Sequence, residues 1–334
     1  MKVEKGTIFV DGQPVETDYW IINGSTLVPA LFFKHTGVAV DFDNKKYASF
    51  FYTKTLFLGL FNLQSDGYFV MKGTNSFQQG LLCTPLMVIE EQVCVPLYEV
   101  VQKLGMIVWE NQKISRVYVI TNTSPTLKPI IYHKGVGDEK QVALSFDDGP
   151  DDVYTPKILD VLSRKNIRAT FFVVGEQIKL FPEMLKRIVV EGHALGNHSW
   201  SHPKFPELTT SELKNEIQWT DEEITSVTGY KAEIVRPPFG LFTNSDLHII
   251  DDLGLKLVMW SVDTLDWMGL PMEHIISTVM REVSSGSIVL QHSLNILPLD
   301  GTLEALPVLI DKLASQGYKF VTIPEMLEDA TSYS

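Results

Sequence analysis

Two rhythms of apolar and polar positions divide the 334-residue chain. From Gln141 onward, short apolar runs alternate with amphipathic stretches. Val142-Ala143-Leu144 reads as a buried strand, Ile158 to Ser163 as a helix, and Ala169-Thr170-Phe171-Phe172-Val173-Val174 as a second buried strand. Pro182 to Glu191 has helical period and stops at Gly192, and Leu208 to Val227 is a longer helix stopped at Gly229. Further strands fall at Ile234-Val235, Lys256 to Trp260, Ser287 to Gln291 and Lys319 to Thr322. Apolar runs without polar alternation belong to parallel sheets covered on both faces. Repeated βα units over about 200 residues favour a barrel over an open sheet.

The first third of the chain has another pattern, a weak internal repeat. Asn23-Gly24-Ser25-Thr26-Leu27-Val28-Pro29 precedes a helix-length stretch and then Thr36-Gly37-Val38-Ala39-Val40-Asp41. Glu91-Gln92-Val93-Cys94-Val95-Pro96 precedes Leu97 to Lys103 and then Leu104-Gly105-Met106-Ile107-Val108-Trp109-Glu110. Each copy predicts a strand, a proline opening a helix, a glycine closing it, and a second strand. Asp43-Asn44 and Asn111-Gln112 read as hairpin turns into Tyr47 to Tyr52 and Arg116 to Thr121. The result is a small α+β module with no cluster of His, Cys and carboxylates. Thr121-Asn122-Thr123-Ser124-Pro125-Thr126, small and polar with a proline, is the linker candidate. The expected organisation is a domain over 1–122, a linker over 123–137 and a second domain over 138–330.

Composition narrows the class. With 45% hydrophobic and 21% charged residues, the chain is that of a soluble globular protein long enough for two cores. Leu56-Phe57-Leu58-Gly59-Leu60-Phe61, among its richest apolar runs, falls far short of the ~20 residues that span a bilayer. Met1-Lys2-Val3-Glu4-Lys5-Gly6 lacks the apolar segment of a signal peptide, so the protein is either cytosolic or shown without its leader. Cys83 and Cys94 read as buried free thiols rather than a disulfide framework. The net charge of −13 sits almost wholly after residue 125. That acidity argues against nucleic acid and anionic membrane surfaces as partners and favours neutral or cationic substrates.

The chemistry gathers at the predicted strand ends, where a parallel barrel places its active site. Ser145-Phe146-Asp147-Asp148-Gly149-Pro150 closes a buried run with two adjacent carboxylates. Asp-Gly-Pro is also ordinary turn chemistry. Two like charges at a strand end are costly unless a cation neutralises one, which a metal on Asp148 would do, leaving Asp147 ionised as a base. His198-Ser199-Trp200-Ser201-His202 carries two imidazoles at i, i+4, on one face if the segment is helical. A carboxylate with two imidazoles leaves a metal's fourth position open, as hydrolytic sites require. Ser199 stands where a zincin has its glutamate base, so that mechanism is excluded. Arg236-Pro237-Pro238-Phe239-Gly240 offers a rigid loop with an arginine suited to hold a carboxylate. Asp263-Thr264-Leu265-Asp266-Trp267 follows a strand, and His292 ends Ile288-Val289-Leu290-Gln291. With Asp266 to orient it, His292 is a general-acid candidate. His35, His133, His193, His248 and His274 read as structural or exposed, His193 as a support for the histidine loop.

In this order the five segments resemble the polysaccharide deacetylase family, the NodB-homology domain of carbohydrate esterase family 4, over about residues 138–330. Ser145 to Gly149 is similar to its Thr-Phe-Asp-Asp-Gly, and His198 to His202 to its His-Ser/Thr-x-x-His. Arg236, Pro238 and Gly240 fit Arg-x-Pro-x-Gly; Asp263, Asp266 and Trp267 fit Asp-x-x-Asp-Trp; Leu290 and His292 fit Leu-x-His. The departures are Ser145 for threonine and Phe239 for the tyrosine of many members. Asp11-Gly12-Gln13-Pro14-Val15 resembles the opening of the copper amine oxidase N-terminal-like domain over about 6–122, a module without a copper site that serves as scaffold or wall-binding unit.

The resemblance implies an α/β fold, a deformed, seven-stranded (β/α) barrel with a small N-terminal α+β domain. It implies a metal-dependent hydrolase of N-acetyl groups on peptidoglycan or chitin-like N-acetylglucosamine oligomers. Asp148, His198 and His202 would hold a divalent ion, zinc first with cobalt or nickel as alternatives. Asp147 would be the general base held by Arg236, and His292 the general acid tuned by Asp266. The Phe239 N–H would serve the oxyanion, while Pro238, Trp267 and Leu290 would line the substrate pocket. The appended module points to the bacterial cell wall or extracellular space. The rivals are an O-acetyl esterase on xylan or another glycan and a non-catalytic wall-binding protein.

Overall fold

The computed structural model describes residues 4–43, 47–52, 55–61, 67–73, 76–111, 116–121, 129–135 and 139–331. Asn44, Gln112 and the linker candidate beyond Thr121 lie outside the described residues. The chain forms two compact units: one of Met1–Pro129, Phe205–Leu213 and Phe242–Ile249, the other of Ile130–Lys204, Lys214–Leu241 and Ile250–Ser334.

In the second unit nine strands form one sheet: β1 (Ile131–Tyr132), β2 (Gln141–Asp147), β3 (Thr170–Val173), β4 (Ala194–Asn197), β5 (Ile234–Val235), β6 (Lys256–Val258), β7 (Val262–Asp263), β8 (Ser287–His292) and β9 (Lys319–Phe320). Their order is β1-β6-β5-β4-β3-β2-β8-β7, with β9 paired to the start of β2. Every pairing is parallel. This is the expected curled (β/α) sheet. Among the described residues it has nine strands where seven were expected, four of them only two residues long.

Side-chain alternation along β2 explains the uninterrupted apolar run. Val142, Leu144 and Phe146 enter an outer core with Ile158, Leu162 and Leu306 of the helices Thr155–Lys165 and Asp300–Ser315. Ala143 enters a second core with Phe172, Ile234, Val258 and Ile288. Both faces are buried, so no polar alternation survives. Ser145 and Asp147 share the parity of Ala143 and therefore face that inner core. A buried carboxylate in such a place requires a partner.

The N-terminal unit is β-rich. Its seven-stranded sheet runs Ile107–Asn111, Arg116–Ile120, Glu4–Val10, Gln13–Ile22, Ser25–Pro29, Gln92–Pro96 and Met87–Ile89. The repeat is visible as geometry: the strands that open the two copies pair antiparallel, Val28 opposite Val95. Leu97–Lys103 is an α-helix, whereas Ala30–Thr36 is a 3₁₀ helix closed by left-handed Gly37. A five-stranded antiparallel sheet covers Ala39–Asp43, Tyr47–Tyr52, Leu56–Phe61, Gly67–Lys72 and Ser76–Leu81. Its last three strands carry no clean alternation in sequence. On the face opposite the core, Phe57, Phe61 and Phe69 stack at 5.2–5.3 Å between ring centres. Both cysteines are free, but Cys83 is exposed rather than buried. Burial pushes the Cys94 thiol up to about 12.

Candidate active site

Parallel strands end on one side, and the candidate residues lie there. Asp147 ends β2, His198 follows β4, Arg236 follows β5 and His292 ends β8. Register sets the first pair, since Asp147 and His292 are opposite one another on adjacent strands.

Arg236 is wholly buried. Its Nη1 donates to Asp147 Oδ1 at 2.7 Å and to Ser145 Oγ at 2.9 Å, and its Nη2 donates to the Met259 carbonyl at 2.9 Å. The guanidinium lies 3.9 Å over the Phe172 ring centre, where the π face favours a cation. Burial pulls its pKa down while the Asp147 carboxylate opposes that, so the pair stands or falls together. Ser145 donates in turn to the Val289 carbonyl at 2.8 Å, which leaves its oxygen to accept from Arg236. The β2 carboxylate is therefore ion-paired with a guanidinium that is itself fixed by groups on neighbouring strands or their ends.

Asp148 turns away from its neighbour because its backbone is left-handed, with φ 75°. Its Oδ1 lies 3.3 Å from His198 Nε2 and 3.2 Å from His202 Nε2. Asp147 Oδ2 stands 3.8 Å from His198 Nε2. Burial pushes the Asp148 carboxyl up, but hydrogen bonds from the two imidazoles outweigh it and hold it well below the usual range.

The histidine segment is not helical. It is an irregular loop after β4 with Ser199 at φ 67° and His202 at φ 59°. Side chains elsewhere hold it. Glu216, on the helix Thr210–Thr228, accepts from the N–H groups of Trp200 and Ser201 at 2.9 and 2.8 Å and from Ser201 Oγ at 2.9 Å. Asn197 accepts from Ser199 N–H at 2.8 Å, and its amide donates to Asp221. Trp200 covers Gly175, where any side chain would collide with the indole.

The triad fits a divalent cation. Ligand atoms of Asp148, His198 and His202 lie within 4.8 Å of one another. The His198 Nδ1 meets the Arg236 carbonyl at 2.7 Å. A carbonyl only accepts, so Nδ1 carries a proton and Nε2 is the nitrogen left to face a metal.

Across the site, His292 Nδ1 donates to Asp266 Oδ1 at 2.7 Å. Asp266 Oδ2 accepts from His292 N–H at 3.0 Å and from Thr302 Oγ1 at 2.9 Å. Burial pulls this imidazole down, but Asp266 and then the Asp148 and Asp147 charges outweigh it, lifting it to about 9.

Pro238 and Phe239 form a single 3₁₀ turn, Pro238–Gly240, in which Phe239 is left-handed at φ 58°. Gly240 and Leu241 donate back to Pro237 and Pro238, and among the described residues no backbone carbonyl takes the Phe239 N–H. The Phe239 ring meets His202 edge-on at 4.7 Å. Leu290 is buried two residues before His292, while Trp267 is half-exposed beside Asp266. His193 accepts from Ala169 N–H at 3.1 Å, just ahead of β3. It supports the opposite strand ends rather than the histidine loop, and burial pulls it down to about 4. Sequence reading gave no role to Ser145, Asn197, Glu216 and Thr302, whose partners are set by tertiary structure.

A curled parallel sheet carrying an Asp-His-His triad between a buried carboxylate and a charged imidazole defines a metal-dependent hydrolase. Comparison specifies the class. Residues 134–258 match the model of the polysaccharide deacetylase family. A peptidoglycan-N-acetylglucosamine deacetylase of Bacillus cereus is 41% identical over 194 residues, covering 58% of this chain and 70% of that protein. Another relative, the peptidoglycan-N-acetylglucosamine deacetylase PgdA of Listeria monocytogenes, is longer, and the chain spans 39% of it at 39% identity over 56% of its own length. Among solved structures, the Bc1960 peptidoglycan N-acetylglucosamine deacetylase superposes with a TM-score of 0.58 at 39% identity, covering 59% of this chain and 92% of that one. A mutant of BA3943, a CE4 family pseudoenzyme of Bacillus anthracis with restored enzymatic activity, gives 0.57 at 31% identity over 72% of this chain and 90% of that one. The chain belongs to the polysaccharide deacetylase family, hydrolases that cleave amide-linked acetyl groups with a divalent metal.

Proposed function

We propose that this deacetylase acts on N-acetylated cell-wall glycan, peptidoglycan or a chitin-like N-acetylglucosamine polymer, with zinc as its metal and cobalt or nickel as substitutes. The cation, held by Asp148, His198 and His202, would polarise the acetamide carbonyl and acidify a water. Asp147, fixed by Arg236, takes the proton of the attacking water. The Phe239 N–H donates to the oxygen that becomes the oxyanion. His292, charged and aligned by Asp266, protonates the departing amine. Pro238, Leu290 and Trp267 border the acetyl group and its sugar.

The observation that carries this reading is His292, bonded to buried Asp266 across the site from the triad. An amine cannot leave without a proton, whereas an ester's alkoxide needs less help. An imidazole lifted to about 9 by a buried aspartate suits amide cleavage at neutral pH. This favours N-deacetylation over the O-acetyl esterase alternative. The BA3943 kinship raises the non-catalytic reading, and the bonded presence of Asp147, Asp148, His198, His202, Arg236, Asp266 and His292 speaks against it. The N-terminal unit, proposed on the Asp11-to-Val15 motif to be a copper amine oxidase N-terminal-like wall-binding module over 1–122, fits a site of action at the wall. Residues 138–330 would then be the catalytic domain. Among the described residues no helix is long and apolar enough to cross a membrane.

Acetate release from N-acetylglucosamine oligomers, peptidoglycan and acetylated xylan, before and after chelation and zinc restoration, tests the proposal. The expected result is zinc-dependent release from the N-acetyl substrates. Release from xylan alone would give the esterase reading, and none from any substrate with metal bound would sink the catalytic one.

A further inference from the structure

The Lys34 ammonium is wholly buried and has three partners. It donates to the Phe205 and Leu208 carbonyls at 2.6 Å each and forms an ion pair with buried Asp246 at 2.7 Å. The acceptors belong to two short segments, Phe205–Leu213 and Phe242–Ile249, which fold with the N-terminal residues in one unit. Further bonds from residues 35–41 grip the same two segments. The Val40 N–H donates to Thr210 Oγ1, Ser211 N–H to Asp41 Oδ1, and the Asn244 amide to the His35 carbonyl, at 2.8–2.9 Å.

Each segment begins three residues after a residue of the site: Phe205 after His202, Phe242 after Phe239. His202 and Phe239 are both left-handed, at φ 59° and 58°, a conformation that side-chain-bearing residues keep only when their surroundings impose it. Glu216 and Asn197 fix the first part of the histidine loop. The His202 N–H donates to Ser199 Oγ at 3.1 Å, and the chain beyond it is met by Lys34 at Phe205 and Leu208.

We propose that Lys34 is a positioning residue of the deacetylase site. Its ammonium ties the downstream ends of the histidine loop and the Phe239 turn to each other, and so holds His202 as a ligand and the Phe239 N–H as a donor. The proposal rests on the reading of His202 and Phe239 given above.

The test uses the full chain with Lys34→Met, the electroneutral double variant Lys34→Met/Asp246→Leu, and His202→Ala as control. Thermal melting reports folding, chelator competition the cobalt affinity, the cobalt visible spectrum the ligand geometry, and acetate release kcat and KM. Both Lys34 variants are expected to bind cobalt about tenfold or more weakly, as lost outer-shell support does, with an altered spectrum and a lower kcat at similar KM. The double variant recovers melting temperature, having no unpaired buried charge, but not metal affinity. A double variant with native cobalt affinity and spectrum overturns the proposal, as does failure of both Lys34 variants to fold. Native cobalt binding by His202→Ala would instead refute the ligand assignment, whatever Lys34 does.

Discussion

The two sides of the site are built by different means. The proposed base side, Asp147 with Arg236 and Ser145, stands on strands or their ends, is buried and is bonded almost to saturation. The proposed ligand side, Asp148 with His198 and His202, stands in turns with left-handed residues and is held by side chains from other elements. Strand register makes the first rigid. The second is a loop whose geometry depends on Glu216, Asn197 and the Arg236 carbonyl. Arg236 joins them, its side chain serving the base and its backbone setting the tautomer of His198. The difference predicts which substitutions remove chemistry, which remove metal, and which remove stability.

The largest effect separates the two aspartates. Asp147→Asn keeps the shape of the base side but cannot take a proton, so kcat falls by about 10³, within the range for loss of a general base. Its zinc content stays native. His198→Ala loses comparable activity together with the metal. Metal analysis after gel filtration reads the distinction. Zinc loss in Asp147→Asn would place that carboxylate among the ligands and collapse the comparison.

Next in size is Arg236→Met. It leaves Asp147 buried without a countercharge, a change that costs about 3–5 kcal/mol in such pairs. Denaturant unfolding of the metal-free protein measures it. Adding Asp147→Leu to Arg236→Met recovers part of the loss. His202→Ala, on the half-exposed ligand side, destabilises the metal-free protein much less. Equal costs on both sides would mean the loop is as tightly built as the strands.

Glu216→Ala comes third. Its carboxylate accepts three hydrogen bonds from the loop without facing the metal. Metal affinity falls about 10–100-fold, as for other outer-shell partners, while excess zinc restores most of the turnover. Chelator competition separates this outcome from a direct catalytic role, in which zinc would not rescue.

The same contrast governs how much of the molecule was legible in sequence. The base side was legible because a buried strand ending in Asp147 and a strand ending at His292 announce themselves by apolar runs. The parallel sheet follows from those runs, and so does the shared side of their ends. The histidine pair was legible as chemistry but not as structure. Spacing of i, i+4 suggested a helix, whereas the segment is a loop with left-handed Ser199 and His202, its Trp200 and Ser201 N–H groups held by a glutamate some fifteen positions on, which no local pattern encodes. Ser145, Thr302 and Lys34 escaped for the same reason, since their partners are set by tertiary structure. The strands Leu56–Phe61 and Gly67–Lys72 were illegible because one face packs in the core while the other carries its own aromatic row, which erases alternation, and Ser76–Leu81 because it is exposed along nearly its whole length.

The smallest effect at neutral pH concerns the acid. Asp266 is the main cause that lifts His292 to about 9 against burial. Asp266→Asn removes the charge, and the imidazole pKa drops by about 2 units, the size of a close ion pair's influence. At pH 7 the native imidazole is almost wholly protonated and the variant's about half, so the loss of kcat/KM from protonation alone is only a few-fold. The alkaline limb of the pH profile carries the signal, moving toward acid by a similar shift. Stability follows the same sign. Because the folded pKa is raised above the ordinary 6.5, the Asp266–His292 pair contributes fully below pH 6.5 and loses its contribution as pH rises through 9. Native and Asp266→Asn proteins should therefore differ most in melting temperature near pH 6 and converge above pH 9. A bound divalent cation repels the imidazolium, so zinc-loaded enzyme shows its alkaline limb below that of the metal-free titration. An alkaline limb unmoved by Asp266→Asn would assign it to a group other than His292 and remove the acid from this side of the site.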